Sequence, residues 1–226
     1  MASFQEHFAD HAGSALARQL ALGDLIGQRP WSIDIQAGHI AFDDGLRFPM
    51  QMLGSHAFDS DSWLWIWANT QSNIPPELTQ AAQRIRAVGD MQGIAEFAEP
   101  SLPLGAVTDH MLAMAGGGIA GGLPYYRAPY DGGALFVLLR DVPAEISAPV
   151  PGPRAIAVLT QVVSQFEVDH RRMAESFLRQ QGFTLDSASP ARLLATRGSE
   201  TGLEVGFDTR GRINNIAGSL KPPAPP

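Results

Sequence analysis

The densest run of chemistry-bearing residues is Trp63-Leu64-Trp65-Ile66-Trp67-Ala68-Asn69. Read as a strand, it sends the Trp63, Trp65 and Trp67 side chains to one face and Leu64 and Ile66 to the other. A row of indoles ending in the Asn69 amide suits a pocket for a sugar, an aromatic ligand or a cation. It equally suits a core in which each indole N–H finds a buried acceptor, and large rings fill cores more often than they mark ligands. His170 is the second candidate. It falls in an apolar helical stripe, flanked by Glu167, Asp169, Arg171 and Arg172. An inward imidazole facing a carboxylate from elsewhere can serve as a general base or a ligand; the plainer alternative is a buried neutral ring with one or two hydrogen bonds. Asp169, about 100° round the same helix, is badly placed to orient its neighbour's ring. The candidate ligand-binding residues are therefore Trp63, Trp65, Trp67, Asn69 and His170. No catalytic residue, metal ligand or cofactor is assigned.

Other motifs carry less. Gly116, Gly118 and Gly121 match G-x-G-x-x-G, with Asp141 following at dinucleotide-fingerprint spacing. That chemistry needs a strand before the glycines and a helix after them, whose N-terminus holds the pyrophosphate. Here a helical segment precedes, and Pro124 and Pro129 obstruct a helix beyond, so 116–122 reads as a flexible loop. His56, Asp59 and Asp61 could face a divalent cation, but H-E-x-x-H, H-x-H and calcium-loop spacing are absent, and the aspartates are expected to bond their own turn. Asp109–His110 reads as a solvated helical pair, and Tyr125–Tyr126 as a cover for a pocket or a core edge. Neither a Walker motif nor a G-x-S-x-G elbow occurs.

The elements that must position these residues follow from periodicity. Phe4, Phe8, Ala12, Ala15 and Gln19 mark a helix over 2–27. Alternation of apolar and polar residues predicts strands over 31–36, 39–43, 48–57 and 63–69, joined by turns at 37–38, 43–45 and 59–62. Connections that short require an antiparallel meander. Helices are expected over 78–88, 90–97 and 104–115, and a strand over 134–139. Ile156, Leu159, Val163, Phe166, His170, Met173 and Phe177 are spaced 3-4-3-4-3-4, the signature of one long helix over 154–181 stopped by Gly182. Strands are then expected near 183–186, 192–197, 203–207 and 212–219, before a proline-rich, extended tail over 221–226. Blocked rather than alternating elements indicate an α+β fold: an antiparallel sheet including the 31–69 meander, packed on the long helix. The last strands either extend that sheet or form a second small one. A single domain over 1–220 is the expectation.

The stretch Phe48-Pro49-Met50-Gln51-Met52-Leu53-Gly54-Ser55, followed by Asp61-Ser62-Trp63-Leu64-Trp65-Ile66-Trp67-Ala68-Asn69, resembles an uncharacterised bacterial family. That family carries Q-x-L-G-S … W-L-W-A-W-A-N after a W-x-x-D-x-x-x-G-x-x-F opening. The opening corresponds here to Trp31, Asp34 and Gly38, with the aromatic Phe42 one position later than the pattern, and Ile66 stands where the family often has alanine. The resemblance covers 31–69 and implies no activity.

Composition narrows the class. Of 226 residues, 45% are apolar and 17% charged, enough apolar surface for a sizeable core and too little charge for disorder. The net charge of −7 and pI near 5.3, with basic residues clustered no further than Arg171–Arg172, argue against nucleic acid and an anionic membrane. The absence of cysteine excludes disulfides, thiol catalysis and thiolate metal sites. With no signal-like start and no membrane-length apolar run, a soluble cytoplasmic protein is expected. Three functions remain open: a non-catalytic binding or interaction module, a small-ligand receptor or enzyme beside the Trp row and His170, and an accessory protein docking a larger partner.

Overall fold

The structure, a computed structural model, describes residues 2–43, 45–198 and 201–220. The proline-rich tail expected over 221–226 lies outside these. The chain is an α+β protein with antiparallel sheets. It divides into two compact units, one formed by the chain's first residues and Arg18–Ile146, the other by Gln5–Ala17 and the chain from Ser147 onward. Helix α1, Phe4–Ile26, supplies residues to both.

The first unit holds a seven-stranded sheet. Its strands are β1 (Trp31–Asp34), β2 (His39–Phe42), β3 (Leu46–Ala57), β4 (Ser62–Trp65), β5 (Ser101–Pro103), β6 (Tyr125–Tyr130) and β7 (Gly133–Leu139). The expected meander is present, each of β1 to β4 pairing antiparallel with the next. Strand β3 is its spine: β2 pairs its first four residues, β4 its last four, and β7 runs along 50–57. Met50, Met52 and Leu53 are accordingly buried. The β3–β7 register slips between Met52 and Gly54, leaving Leu53 as the extra residue of a bulge. Helices α2 (Gln80–Gln92), α3 (Ala95–Ala98) and α4 (Asp109–Ile119) complete the unit, and Ala81, Ala82, Ile85, Phe97, Met111 and Leu112 join its core.

Several expectations are corrected here. The strand expected over 63–69 ends at Trp65, and Ile66–Ala68 form a 3-10 turn. Trp65 pairs with Gly54, and the next residue along β3 is the bulged Leu53, so regular pairing stops there. Trp67 consequently leaves the row. The glycines expected to form a loop begin inside α4, which runs through Gly116, Gly117 and Gly118. A Cβ on Gly117 would lie 2.5 Å from the Leu123 carbonyl oxygen, so glycine there lets the chain fold back tightly on the helix end. The helix over 104–115 starts only at Asp109, where the Thr108 hydroxyl accepts from Met111 N–H. Residues 125–130, unassigned from sequence because of Pro124 and Pro129, form β6; it pairs with β7 alone, and an edge strand tolerates proline.

The second unit sets α5 (Gly152–Gln165) and α6 (His170–Gln180) with a four-stranded sheet ordered β11-β10-β9-β8: β8 Thr184–Ser189, β9 Arg192–Arg197, β10 Thr201–Phe207 and β11 Ile213–Leu220. The C-terminal strands thus form a second sheet rather than extending the first. The single long helix over 154–181 is two helices. Phe166 is extended (φ −130°, ψ 143°), and the Asp169 carboxylate accepts from Arg172 N–H, capping a new helix. The seven-residue stripe crosses this break, so Val163, Phe166 and His170 are only half-buried, while Ala155, Val158, Leu159 and Val162 from α5 and Met173, Ala174, Phe177 and Leu178 from α6 form the true apolar face. Part of α1 completes this core. Phe8 meets Phe166 edge to face at 5.3 Å, and a Cβ on Gly13 would lie 2.6 Å from Phe177.

Candidate functional sites

In the first unit, polar chemistry gathers where the ends of two hairpins meet the start of α4. The N–H of Phe58 donates to Gly132 O, and that of Leu104 to Asp61 O. His56, near the end of β3, has its Nδ1 2.8 Å from Asp109 Oδ2 and its Nε2 3.0 Å from Asp61 Oδ1. Carboxylates only accept, so both bonds form together only when both ring nitrogens carry protons. Asp109 is buried, receives its neighbour His110's backbone N–H at 2.7 Å on Oδ1, and lies 3.6 Å from Arg127 Nε. The Arg127 guanidinium stands over the half-exposed Phe58 ring, 5.4 Å from its centre. His110 Nδ1 is 2.6 Å from the Tyr125 hydroxyl. Burial, then the Asp109 charge, pushes the Tyr125 phenol far up, and burial pulls the His110 imidazole down against the pull of Asp109. The pair is therefore neutral near pH 7, a phenol sharing its proton with an imidazole. This cluster is a pinned polar network: His56 offers no vacant nitrogen to a substrate proton.

The second unit carries an open groove of about 700 Å³ between the break joining α5 to α6 and the turn joining β10 to β11. His170, Arg210 and Arg212 line it. Ile213 N–H donates to His170 Nδ1 at 3.0 Å, so the neutral ring must carry its proton on Nε2. Burial, reinforced by Arg212, pulls the His170 pKa down, against Asp169 and Asp208. Two lining or neighbouring carboxylates are spent on backbone: Asp169 caps α6, and Asp208 Oδ1 accepts from the N–H groups of Arg210 and Arg212. Glu167 also lines the groove and is exposed.

The residues proposed from sequence are distributed as follows. Trp63 and Trp65 are fully buried, edge to face at 5.3 Å, against Phe136 and Phe97 respectively. Trp65 Nε1 donates to Glu96 O at 2.9 Å, whereas Trp63 Nε1 and Trp67 Nε1 are buried without a partner among the described residues. Trp67 is half-buried beneath the Arg86 guanidinium, 4.4 Å from its ring centre. Asn69 Oδ1 accepts from the Gln71 and Ser72 N–H groups and so closes its own turn. Of these residues His170 alone lines the groove, together with Arg210 and Arg212, to which the sequence assigns no role. Asp109, expected in solvent, is buried against His56, and Arg127 joins it from β6. The cue available in sequence was Thr108, an N-cap that places Asp109 in the first turn.

No helix among the described residues is long and apolar enough to cross a membrane, and no group of three or more His, Cys, Asp or Glu among them is arranged to hold a metal ion. Neither a curated protein nor a solved structure matches the chain. A family does match over residues 5–142, a span that includes the His56–Asp109 cluster and ends before the His170 groove; on that match the chain belongs to DUF6882, a family of unknown function.

Proposed function

We propose that this protein is a non-catalytic binding module that takes a small anionic group, such as a phosphate or carboxylate, in the groove lined by His170, Arg210 and Arg212. The observation that carries this is the convergence of two arginines and a histidine on one concavity while the adjacent aspartates are turned to backbone N–H groups. Guanidinium groups and a fixed Nε2–H supply donors and no acceptors, a set matched to an oxyanion. The non-catalytic part is supported by three of the six histidines. His56 is held at both nitrogens, His110 at Nδ1 by a phenol and His170 at Nδ1 by backbone, and among the described residues no serine or threonine hydroxyl bonds to these three.

The test is thermal unfolding with phosphate, pyrophosphate and citrate, each against sodium chloride at equal ionic strength. A ligand that binds only the folded chain raises Tm by mass action. The expected result is a concentration-dependent rise with at least one oxyanion, lost in the Arg210→Ala/Arg212→Ala double variant. Equal shifts in chloride, or an undiminished shift in the double variant, would contradict the proposal.

A further inference from the structure

The two edges of the four-stranded sheet are built differently. Strand β8 carries Asp186, its register shifts between Asp186 and Ser189, and Pro190 follows it directly. A charge, an irregularity and a proline are the usual means by which an edge is kept from pairing with another chain. Strand β11, Ile-Asn-Asn-Ile-Ala-Gly-Ser-Leu over 213–220, has neither a charged residue nor a proline, and its one register shift, at Asn214, lies at its start and leaves 215–220 regularly paired. It pairs with β10 on one side. Along its other side, among the described residues, no backbone hydrogen bond joins 214–220 to another segment. Asn214, Asn215, Ala217 and Gly218 are exposed, and Ile213 and Ile216 are only half-buried although they pair with the buried Phe207 and Val205.

We propose that β11 pairs with β11 of a second copy of this chain, antiparallel about a twofold axis, joining two four-stranded sheets into one of eight. The chemistry of the edge selects that occupant. Self-pairing centred on Ala217 sets residues 214–220, an uncharged stretch, against themselves, so no like charges meet, whereas a charged edge would repel its own copy. The chain's own following segment is poorly equipped for the role: of residues 221–226, four are prolines, which lack the N–H that a ladder requires. A register centred on Ala217 places Ile216 opposite Gly218, large against small on the inner face, and the exposed Ala217 opposite itself. The contact is isologous, as twofold dimers require. One strand from each copy buries less than a standard interface, below about 1,200 Å², so the dimer should be reversible and concentration-dependent.

Sedimentation velocity over a dilution series tests this. The wild-type chain is expected to shift from dimer to monomer on dilution. Ala217→Lys and Ala217→Glu, both at an exposed position, should each stay folded by circular dichroism and be monomeric throughout. Mixed in equal amounts they should regain the dimer, a result a merely destabilised strand could not give. Because the chain has no cysteine, Ala217→Cys gives an independent reading: oxidation should link two copies through that residue. A wild type that remains monomeric at every concentration leaves the edge to a strand of some other protein and overturns the proposal. So does a dimer that survives Ala217→Lys, which would place the contact elsewhere.

Discussion

At the residue scale, the groups that matter are those whose protonation the fold fixes. His110 and His170 both have pKa values pulled below the ordinary imidazole value, chiefly by burial. The unfolded chain takes up protons at these rings first as pH falls, so the stability they confer is present above about pH 6.5 and is lost as pH drops toward their folded values. The urea midpoint should therefore fall on acidification below pH 6.5, and His110→Gln/His170→Gln should flatten that slope. Asp109→Asn keeps the side-chain shape and removes the charge that faces His56 and Arg127; equilibrium urea unfolding should show a loss of about 1–3 kcal/mol. Little of this was legible in the sequence. Asp109 and His56 lie 53 residues apart and meet only through the register of β3 and the entry angle of α4. His170, in contrast, stands out in the sequence through a helical stripe that the structure interrupts just before it.

At the element scale, close packing explains both what sequence periodicity captured and what it missed. Alternation located β2 and β3 because each carries buried residues, β1 because Trp31 and Ile33 are half-buried while Ser32 and Asp34 are exposed, and α1 because Phe4, Phe8 and Ala12 repeat along one side and are all buried. It overran in Trp63-Leu64-Trp65-Ile66-Trp67, where alternation continues after hydrogen-bonded pairing has ended, because periodicity reports side-chain burial and not whether a neighbouring strand is there to pair with. It overran again at Val168-Asp169-His170, where an N-cap outweighed the apolar spacing. Two glycines define how tightly the elements meet. A Cβ on Gly54 would lie 2.4 Å from Trp63 Cζ2, and one on Gly13 would lie 2.6 Å from Phe177 Cγ. Gly54→Ala and Gly13→Ala should each lower stability by about 1–3 kcal/mol, the range for forcing extra volume into a filled core. Gly23→Ala, with nothing within 4 Å of the added Cβ, is the control and should be neutral or mildly stabilising.

At the scale of the whole molecule, the second unit is discontinuous in sequence. Residues 5–17 belong with the chain from Ser147 onward. Arg172 reaches Asp10 with Nε and Nη2, both at 2.8 Å, and Glu6 with Nη1 at 2.7 Å, and the Ser176 hydroxyl donates to Asp10 O. These ion pairs are partly exposed and contribute only about 1 kcal/mol or less each; the apolar contacts of Phe8, Ala12 and Gly13 are the larger part. Removing residues 1–17 should therefore expose Phe166 and Phe177 and abolish slow amide exchange in β9 and β10, as hydrogen exchange would record. Persistent protection there would mean that α5, α6 and their sheet stand without α1.

The same arrangement sets an order of events at the ribosome. Asp10 is made well before its partner Arg172, which is 162 positions downstream. At about 5–20 residues per second, that face of α1 is left without its mate for roughly 10–30 s of translation. A nascent chain arrested before α6 should accordingly be held by a chaperone through residues 5–17, and should be let go once α6 has cleared the exit tunnel.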